Sequence, residues 1–367
     1  MKRIKILDSF RGLAALIVVF HHVYFMFGYL YPGEAKMRIH RLLYFISDLN
    51  LMAVLFFFLL SGFSIRLSLK NGPPVNKSSL NEYLYRRFKR IVPLYYIALI
   101  LTFICGLILC ATANSDYSIK NLIGNLLFLQ ASKSYEGYWF PPYGNNGPLW
   151  SISFEMFYYL FFPVFLFVLL KVFRRERLGI LQQRISLCIA FVLSIFCIVG
   201  NNFFFLPYMA FGRLFFIWYS GFCLANLYLE RRMRINADLL LFIFLALLSG
   251  VLLYLKNSVS LYLSFSGSVI AIIFYILYII RKSFSERLKS RMDRLFNFFF
   301  FHIGKGSYAL YLLHYPLIVV LKSFKNMNMW IVMSSLFVLI FICTRLEEFF
   351  VRQKFGFLRI RYVGGAN

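Results

Sequence analysis

The chain has 367 residues, of which 61% are apolar and only 15% are charged, and its mean hydropathy is +0.72. A soluble protein of this size could not bury so much apolar surface, so the composition excludes an ordinary soluble domain and predicts that lipid solvates most of the chain. The formal net charge of +26 is better explained by membrane topology than by nucleic acid, because of where the charges lie.

Apolar segments of membrane-spanning character recur along the whole chain, since a transmembrane helix needs roughly 17 to 25 such residues. The predicted fold class is therefore all-α, a polytopic integral membrane protein with about ten transmembrane helices. In chain order the predicted spans are residues 10–30, 48–69, 91–112, 149–171, 185–200, 212–229, 238–255, 259–280, 304–321 and 328–349.

Basic residues are concentrated in alternate connections between these spans. One set of connections, which includes both ends of the chain, holds 30 of the 40 Lys and Arg residues, and the other set holds 8. Because Lys and Arg favour cytoplasmic loops, both termini are predicted to be cytoplasmic. Residues 1–350 are interpreted as one transmembrane domain and residues 351–367 as a short basic cytoplasmic tail. In the long outer connection, residues 113–148, the apolar piece Ile119–Leu129 is interpreted as interfacial or re-entrant.

The first span contains ionisable residues, which are costly in a bilayer and are therefore functional candidates. Arg11 and His22 are eleven residues apart, so at about 100° per residue they return to nearly the same helix face. Arg11 is expected near the cytoplasmic surface and His22 somewhat past the membrane midplane, whereas His21 points elsewhere. Arg213, inside the sixth predicted span, is a further supporting candidate.

Two more ionisable groups are expected at a depth similar to that of His22. The fourth span runs inward from the outer membrane surface, so Glu155 is expected about 10 Å below that surface. His314, in the ninth span, is expected at a comparable depth. A carboxylate there would orient an imidazole and stabilise its charged form while the imidazole takes a proton from a hydroxyl. Nothing in the sequence shows that these helices are neighbours.

The segment Arg86-Arg87-Phe88-Lys89-Arg90 precedes the third span. By charge alone it is better explained as a positive-inside anchor, although guanidinium groups also bind phosphates in bidentate fashion. The six cysteines lie in or beside apolar segments without CxxC spacing, so no disulfide or metal role is predicted for them.

Five short motifs in the same order resemble those of membrane acyltransferase family 3, the transmembrane O-acyltransferases of bacterial surface polysaccharides. The resemblance covers residues 7–316, nearly the whole chain. The matching elements are Arg11-x10-His22 in the first span, Ser61-Gly62-Phe63 in the second, an RxxR element at Arg87 and Arg90, Trp150-Ser151 followed by Glu155, and Ser307-Tyr308 followed by His314 and Pro316.

The resemblance implies a multi-pass enzyme of the bacterial inner membrane that moves an acyl group, usually acetyl, from cytoplasmic acyl-CoA to a hydroxyl of a surface polysaccharide or lipid-linked glycan. It implies no permanently bound cofactor, no metal and no nucleic-acid partner. It also favours CoA binding over a positive-inside anchor as the role of Arg87 and Arg90. Direct transfer and an acyl-enzyme relay both stay open, and the extracytoplasmic esterase-like domain of some relatives is expected to be absent. The assigned roles are catalysis for His22 and Glu155, CoA binding for Arg11, Arg87 and Arg90, and substrate contact or support for Ser61, Trp150, Arg213, Ser307, Tyr308 and His314.

Other classes of membrane protein compete with this interpretation. A transporter or flippase of a lipid-linked glycan would also have many spans and intramembrane charges. A glycan polymerase or ligase would be expected to have a larger basic outer loop than residues 113–148. A purely structural protein would have little reason to keep Arg11, His22 and Glu155 in apolar helices.

Overall fold

The computed structural model describes residues 5–27, 37–69, 73–131, 139–204, 207–256, 258–324 and 329–352. This part of the chain is built almost entirely of helices, with one isolated bridge between Gln130 and Phe140. The helices are α1 (Lys5–Phe27), α2 (Met37–Asp48), α3 (Asn50–Ser68), α4 (Lys77–Ile108), α5 (Ile119–Leu126), α6 (Trp150–Val172), α7 (Ile180–Phe204), α8 (Phe215–Leu229), α9 (Ala237–Leu255), α10 (Val259–Ser283), α11 (Glu286–Lys305), α12 (Ser307–Ser323) and α13 (Met329–Arg352).

The all-α, polytopic membrane class is confirmed, because every predicted span coincides with a helix. Among the described residues, seven helical segments are long and apolar enough to cross a membrane; they contain α1, α3, α4, α6, α7, α9 and α10. Helices α8 and α12 are shorter, at 15 and 17 residues. The count of ten and the cytoplasmic termini stay predictions, and the predicted tail, residues 351–367, lies almost wholly outside the described residues.

Helix α4 begins well before its predicted span. The Asn76 side chain caps it by accepting a hydrogen bond from the backbone N–H of Ser79 at 2.8 Å, which satisfies a donor that the first helical turn leaves free. The basic segment from Arg86 to Arg90 is therefore part of the helix rather than a connection. Because Arg87 and Arg90 are three residues apart in this helix, their side chains can point to the same side.

Helix α11 occupies a region predicted to be a basic connection. Its first half is rich in charge and its second half in phenylalanine, a pattern too polar on average for a span but typical of an amphipathic helix. It packs across the first turns of α1, where Gly12 and Gly304 allow the two backbones to touch. A hydrogen bond of 2.6 Å from Ser9 Oγ to Asn297 Oδ1 joins the same two helices.

A second close approach of helices fixes the centre of the bundle. A methyl group at Gly62 of α3 would collide with the carbonyl oxygen of Trp218 in α8, and one at Gly221 would collide with that of Leu59. Backbone contact of this kind is typical of helices packed in membranes through small residues. It places Ser61, the neighbour of Gly62, within reach of the Trp218 indole.

Candidate active site

A cavity lies inside the bundle, between α1, α3, α4, α6 and α12. We call it the central cavity. Its walls combine apolar side chains with a dense set of polar ones, which is unusual for the interior of an apolar helical bundle. The polar lining residues are Arg11, Ser61, Ser64, Arg87, Arg90, Ser151, Glu155, Tyr159, Ser307, Tyr308 and Tyr311.

Arg11 enters the cavity from the first turns of α1. One guanidinium nitrogen forms an ion pair of 2.9 Å with Asp8, one helical turn earlier, and another donates to Ser64 Oγ. Asp8 is buried. The pair forms within one helix, so it offsets the cost of holding a cation here and fixes the direction of the guanidinium.

Arg87 and Arg90 line the same cavity from α4. Arg87 is buried and donates to Ser68 Oγ at 2.8 Å, and its guanidinium lies over the Tyr83 and Tyr159 rings at 5.7 and 5.8 Å from their centroids. Its Nε has no hydrogen-bond partner among the described residues. Neither arginine forms an ion pair with a described carboxylate. Two guanidinium groups therefore retain hydrogen-bonding capacity for an anion.

Glu155 belongs to a hydrogen-bonded cluster that includes Tyr159, the tyrosine next to Arg87. Its Oε1 accepts from Ser61 Oγ at 2.6 Å and from the Tyr159 hydroxyl. Ser61 Oγ in turn lies 2.9 Å from the Tyr159 oxygen and accepts from Trp218 Nε1 at 3.1 Å. Oε1 accepts both hydrogen bonds to the Glu155 carboxylate, so no described residue donates to Oε2. The carboxylate is oriented by hydroxyl groups rather than by an imidazole.

His22 and His314 form an imidazole pair. His314 Nδ1 lies 2.9 Å from Leu310 O and His22 Nδ1 lies 2.8 Å from Val18 O, so each Nδ1 carries a proton that it donates to a carbonyl. His314 Nε2, 3.2 Å from His22 Nδ1, is then an acceptor for that same His22 N–H. This hydrogen-bond network leaves the lone pair of His22 Nε2 available as a base.

Tyr311 lies between the central cavity and the imidazole pair. Its side chain lines the cavity, its hydroxyl is hydrogen-bonded to Ser151 Oγ at 2.8 Å and Pro148 O at 3.0 Å, and its ring centroid is 6.2 Å from that of His314. The imidazole pair therefore sits next to the cavity, one turn of α12 beyond Tyr311. Neither histidine is itself part of the described cavity wall.

The structure places two of the sequence-predicted residues, Trp150 and Arg213, away from the wall of the central cavity. Trp150 packs edge-on against Phe58 and Phe154, with ring centroids 6.1 and 5.2 Å apart. Arg213 is buried at the start of α8, where it donates to Ser260 Oγ at 2.8 Å. Neither contributes to the cavity wall, in contrast to Arg11, Ser61, Arg87, Arg90, Glu155, Ser307 and Tyr308.

Three residues in or beside the site were not among those predicted from the sequence. Tyr159 follows Glu155 by one turn and Tyr311 precedes His314 by one turn, so a search for polar side chains at i±3 and i±4 would have found both. Glu347 is buried in α13 and accepts from the backbone N–H groups of Tyr308 and Ala309 at 3.1 and 3.2 Å. A carboxylate in the last apolar segment was the signal for it.

Two curated proteins with detectable similarity to this chain are acyltransferases. The peptidoglycan O-acetyltransferase OatA of Listeria monocytogenes is 27% identical over 190 residues, which is 48% of this chain and 26% of that protein. The acyltransferase MdmB of Streptomyces mycarofaciens is 31% identical over 170 residues, 44% of this chain and 39% of that protein. These alignments span less than half the length of either relative, and no solved structure matches the chain.

A family model described as an acyltransferase domain matches residues 4–346. The match includes every helix that contributes to the central cavity and the imidazole pair. The chain belongs to this family of membrane acyltransferases.

Proposed function

We propose that the protein transfers an acyl group, most simply acetyl, from acyl-CoA to a hydroxyl of a surface polysaccharide or lipid-linked glycan in the bacterial inner membrane. The observation that carries the proposal is the set of three guanidinium groups, Arg11, Arg87 and Arg90, on the wall of one buried cavity. A transmembrane bundle has no structural need for three such groups around empty space, and each costs free energy there.

The arginines support an anionic donor. A CoA thioester carries phosphate groups, which guanidinium groups bind through bidentate, charge-assisted hydrogen bonds. Two of the three lack a carboxylate partner in the described part of the chain, so a phosphate would supply their missing acceptors. The positive-inside pattern puts this end of α1 and α4 on the cytoplasmic side, where acyl-CoA is available.

The imidazole pair supports a base at His22. In direct transfer, the acceptor hydroxyl oxygen attacks the thioester carbonyl carbon while its proton passes to His22 Nε2. The carbon–sulfur bond then breaks, and the proton moves from the imidazolium to the leaving thiolate. His314 stabilises the imidazolium by accepting from its Nδ1–H, the part that a carboxylate plays in hydrolase triads.

Glu155 supports the acceptor side of the same reaction. Its Oε1 is occupied by Ser61 and Tyr159, so Oε2 is the atom that would accept a hydrogen bond from a sugar hydroxyl. Holding the hydroxyl in one orientation would lower the entropic part of the barrier. In this proposal the carboxylate positions the acceptor and does not contact His22.

Purified protein in proteoliposomes, supplied with acetyl-labelled acetyl-CoA and a lipid-linked oligosaccharide, tests the proposal. We expect label in the glycan and one free thiol released for each acetyl group transferred. Movement of chemically unchanged glycan across the bilayer, without label and without thiol release, would instead identify a transporter.

A further inference from the structure

A second cavity adjoins another part of α3. It lies where the ends of α3, α6 and α8 meet the start of α7, and we call it the Arg66 cavity. None of the residues described around it lines the central cavity. Its polar members are Arg66, Arg177, Gln183, Asn226 and Glu230.

The cations of the Arg66 cavity outnumber its carboxylates. Arg66 is half-buried and its Nε donates to Asn226 Oδ1, which fixes the guanidinium and leaves its two terminal nitrogens free of that bond. Among the described residues, neither Arg66 nor Arg177 lies within ion-pair distance of a carboxylate. The excess charge favours an anionic ligand.

Glu230, the carboxylate of this cavity, already has partners of its own. Its Oε1 accepts from Gln183 Nε2 at 3.2 Å, and its Oε2 pairs with Arg232 at 3.2 Å. Its charge is therefore shared with a cation that is not one of the cavity's lining residues. The carboxylate thus offsets only part of the charge of Arg66 and Arg177, which it does not contact within ion-pair distance.

The remaining wall is apolar. Leu166, Leu170 and Phe222 are buried side chains that line the cavity on the bundle side. A small inorganic anion would leave this surface uncovered, whereas a molecule with an apolar or aromatic part next to its charge would cover both. A guanidinium held in place beside an apolar wall is typical of a site for an amphipathic anion.

We propose that the Arg66 cavity binds a phosphate ester, with the guanidinium groups of Arg66 and Arg177 as phosphate ligands. Planar guanidinium groups match the geometry of phosphate oxygens better than ammonium groups do. The apolar wall takes the organic part of the same molecule. A nucleotide from the cytoplasm and the headgroup region of an anionic phospholipid both have this chemistry. This proposal does not require acyl transfer to take place in the central cavity.

Two probes distinguish these sources. Adenosine 3′,5′-bisphosphate is titrated by calorimetry into the full-length protein in phosphatidylcholine nanodiscs. Retention of phosphatidylglycerol is followed by native mass spectrometry after reconstitution in vesicles of equal parts phosphatidylcholine and phosphatidylglycerol. We expect Arg66→Gln and Arg177→Gln each to weaken binding of one probe about tenfold, the usual size for one charged hydrogen-bonding group.

Arg175→Gln is the matched control, because Arg175 is exposed in the same loop as Arg177 and does not line the cavity. Arg177 is also exposed, so its variant is expected to fold even if Arg66→Gln does not. The proposal is wrong if the wild type binds neither probe, or if Arg177→Gln binds both probes as tightly as the wild type does. Arg90→Gln separates the two cavities: a loss of nucleotide binding in that variant alone would disprove this site and leave the proposed acyl donor intact.

Discussion

Two clusters of charge in this molecule use arginine in opposite ways. At the start of α9, the buried carboxylate of Asp238 forms ion pairs of 2.7 Å with both Arg184 and Arg232, one on each oxygen. In the central cavity, Arg87 and Arg90 line the wall, and no described carboxylate lies within ion-pair distance of either guanidinium. The first cluster is complete without a ligand and the second is not.

The difference shows how to separate structural charges from functional ones in a membrane protein. The cost of an intramembrane charge marks all of these residues as candidates, but only the geometry shows whether the protein itself satisfies them. Arg213 shows that position in an apolar span is not enough, because the structure places it away from the central cavity wall, where it donates to Ser260 Oγ. The following predictions test the contrast between satisfied and unsatisfied groups.

The largest effect is expected for His22→Ala. Removing the imidazole deletes the base, so the rate of acyl transfer should fall by about 10²- to 10⁴-fold. The neighbouring His21→Ala is the control, since His21 Nδ1 is hydrogen-bonded to Ser47 O at 2.9 Å and has no hydrogen bond to His22 or His314 among those described. Initial rates of thiol release from acetyl-CoA provide the measurement. Equal rates in the two variants would contradict the proposed base.

The next largest effect is expected for Arg90→Gln. Losing one phosphate ligand should raise KM for acetyl-CoA by about 10- to 100-fold, because hydrogen bonds between charged groups contribute about 1.5–3 kcal/mol. The rate constant kcat should change less, since the reacting atoms are untouched. Arg86→Gln serves as control on the same helix, where Arg86 is exposed and pairs with Glu82 at 3.4 Å. A fall in kcat with unchanged KM would exclude donor binding.

A smaller effect is expected for Ser61→Ala. The hydroxyl orients Glu155 by one neutral-to-charged hydrogen bond, and Tyr159 supplies a second, so kcat should fall about 3- to 10-fold. Trp218→Phe removes only the indole N–H that holds Ser61 and should act in the same direction but more weakly. Steady-state kinetics with varied acceptor concentration measures both. Complete inactivation of Ser61→Ala would instead indicate that the serine itself carries the acyl group.

Much of the fold could be predicted from composition, because spans of apolar residues determine helices in lipid almost regardless of sequence detail. The sequence also identified seven residues of the cavity wall through their motifs. It did not predict that Glu155 binds hydroxyl groups rather than an imidazole, or that Tyr311 stands between the cavity and the histidines. These features depend on helix rotation and neighbour choice, which small residues such as Gly62 and Gly221 set through backbone contact.

The smallest effect on catalysis, and the clearest on stability, is expected for Asp238→Asn. The amide cannot hold both arginines, so the free energy of unfolding should fall by about 1–3 kcal/mol, less than for a fully buried pair because Arg184 and Arg232 are partly exposed. Thermal unfolding in detergent measures this loss, and kcat per folded molecule should stay at the wild-type value. Arg90→Gln should show the reverse, with weaker donor binding and a smaller loss of stability, because Arg90 forms no ion pair with a described carboxylate. If the two variants behaved alike, the distinction between a completed charge cluster and an open one would have no functional meaning in this protein.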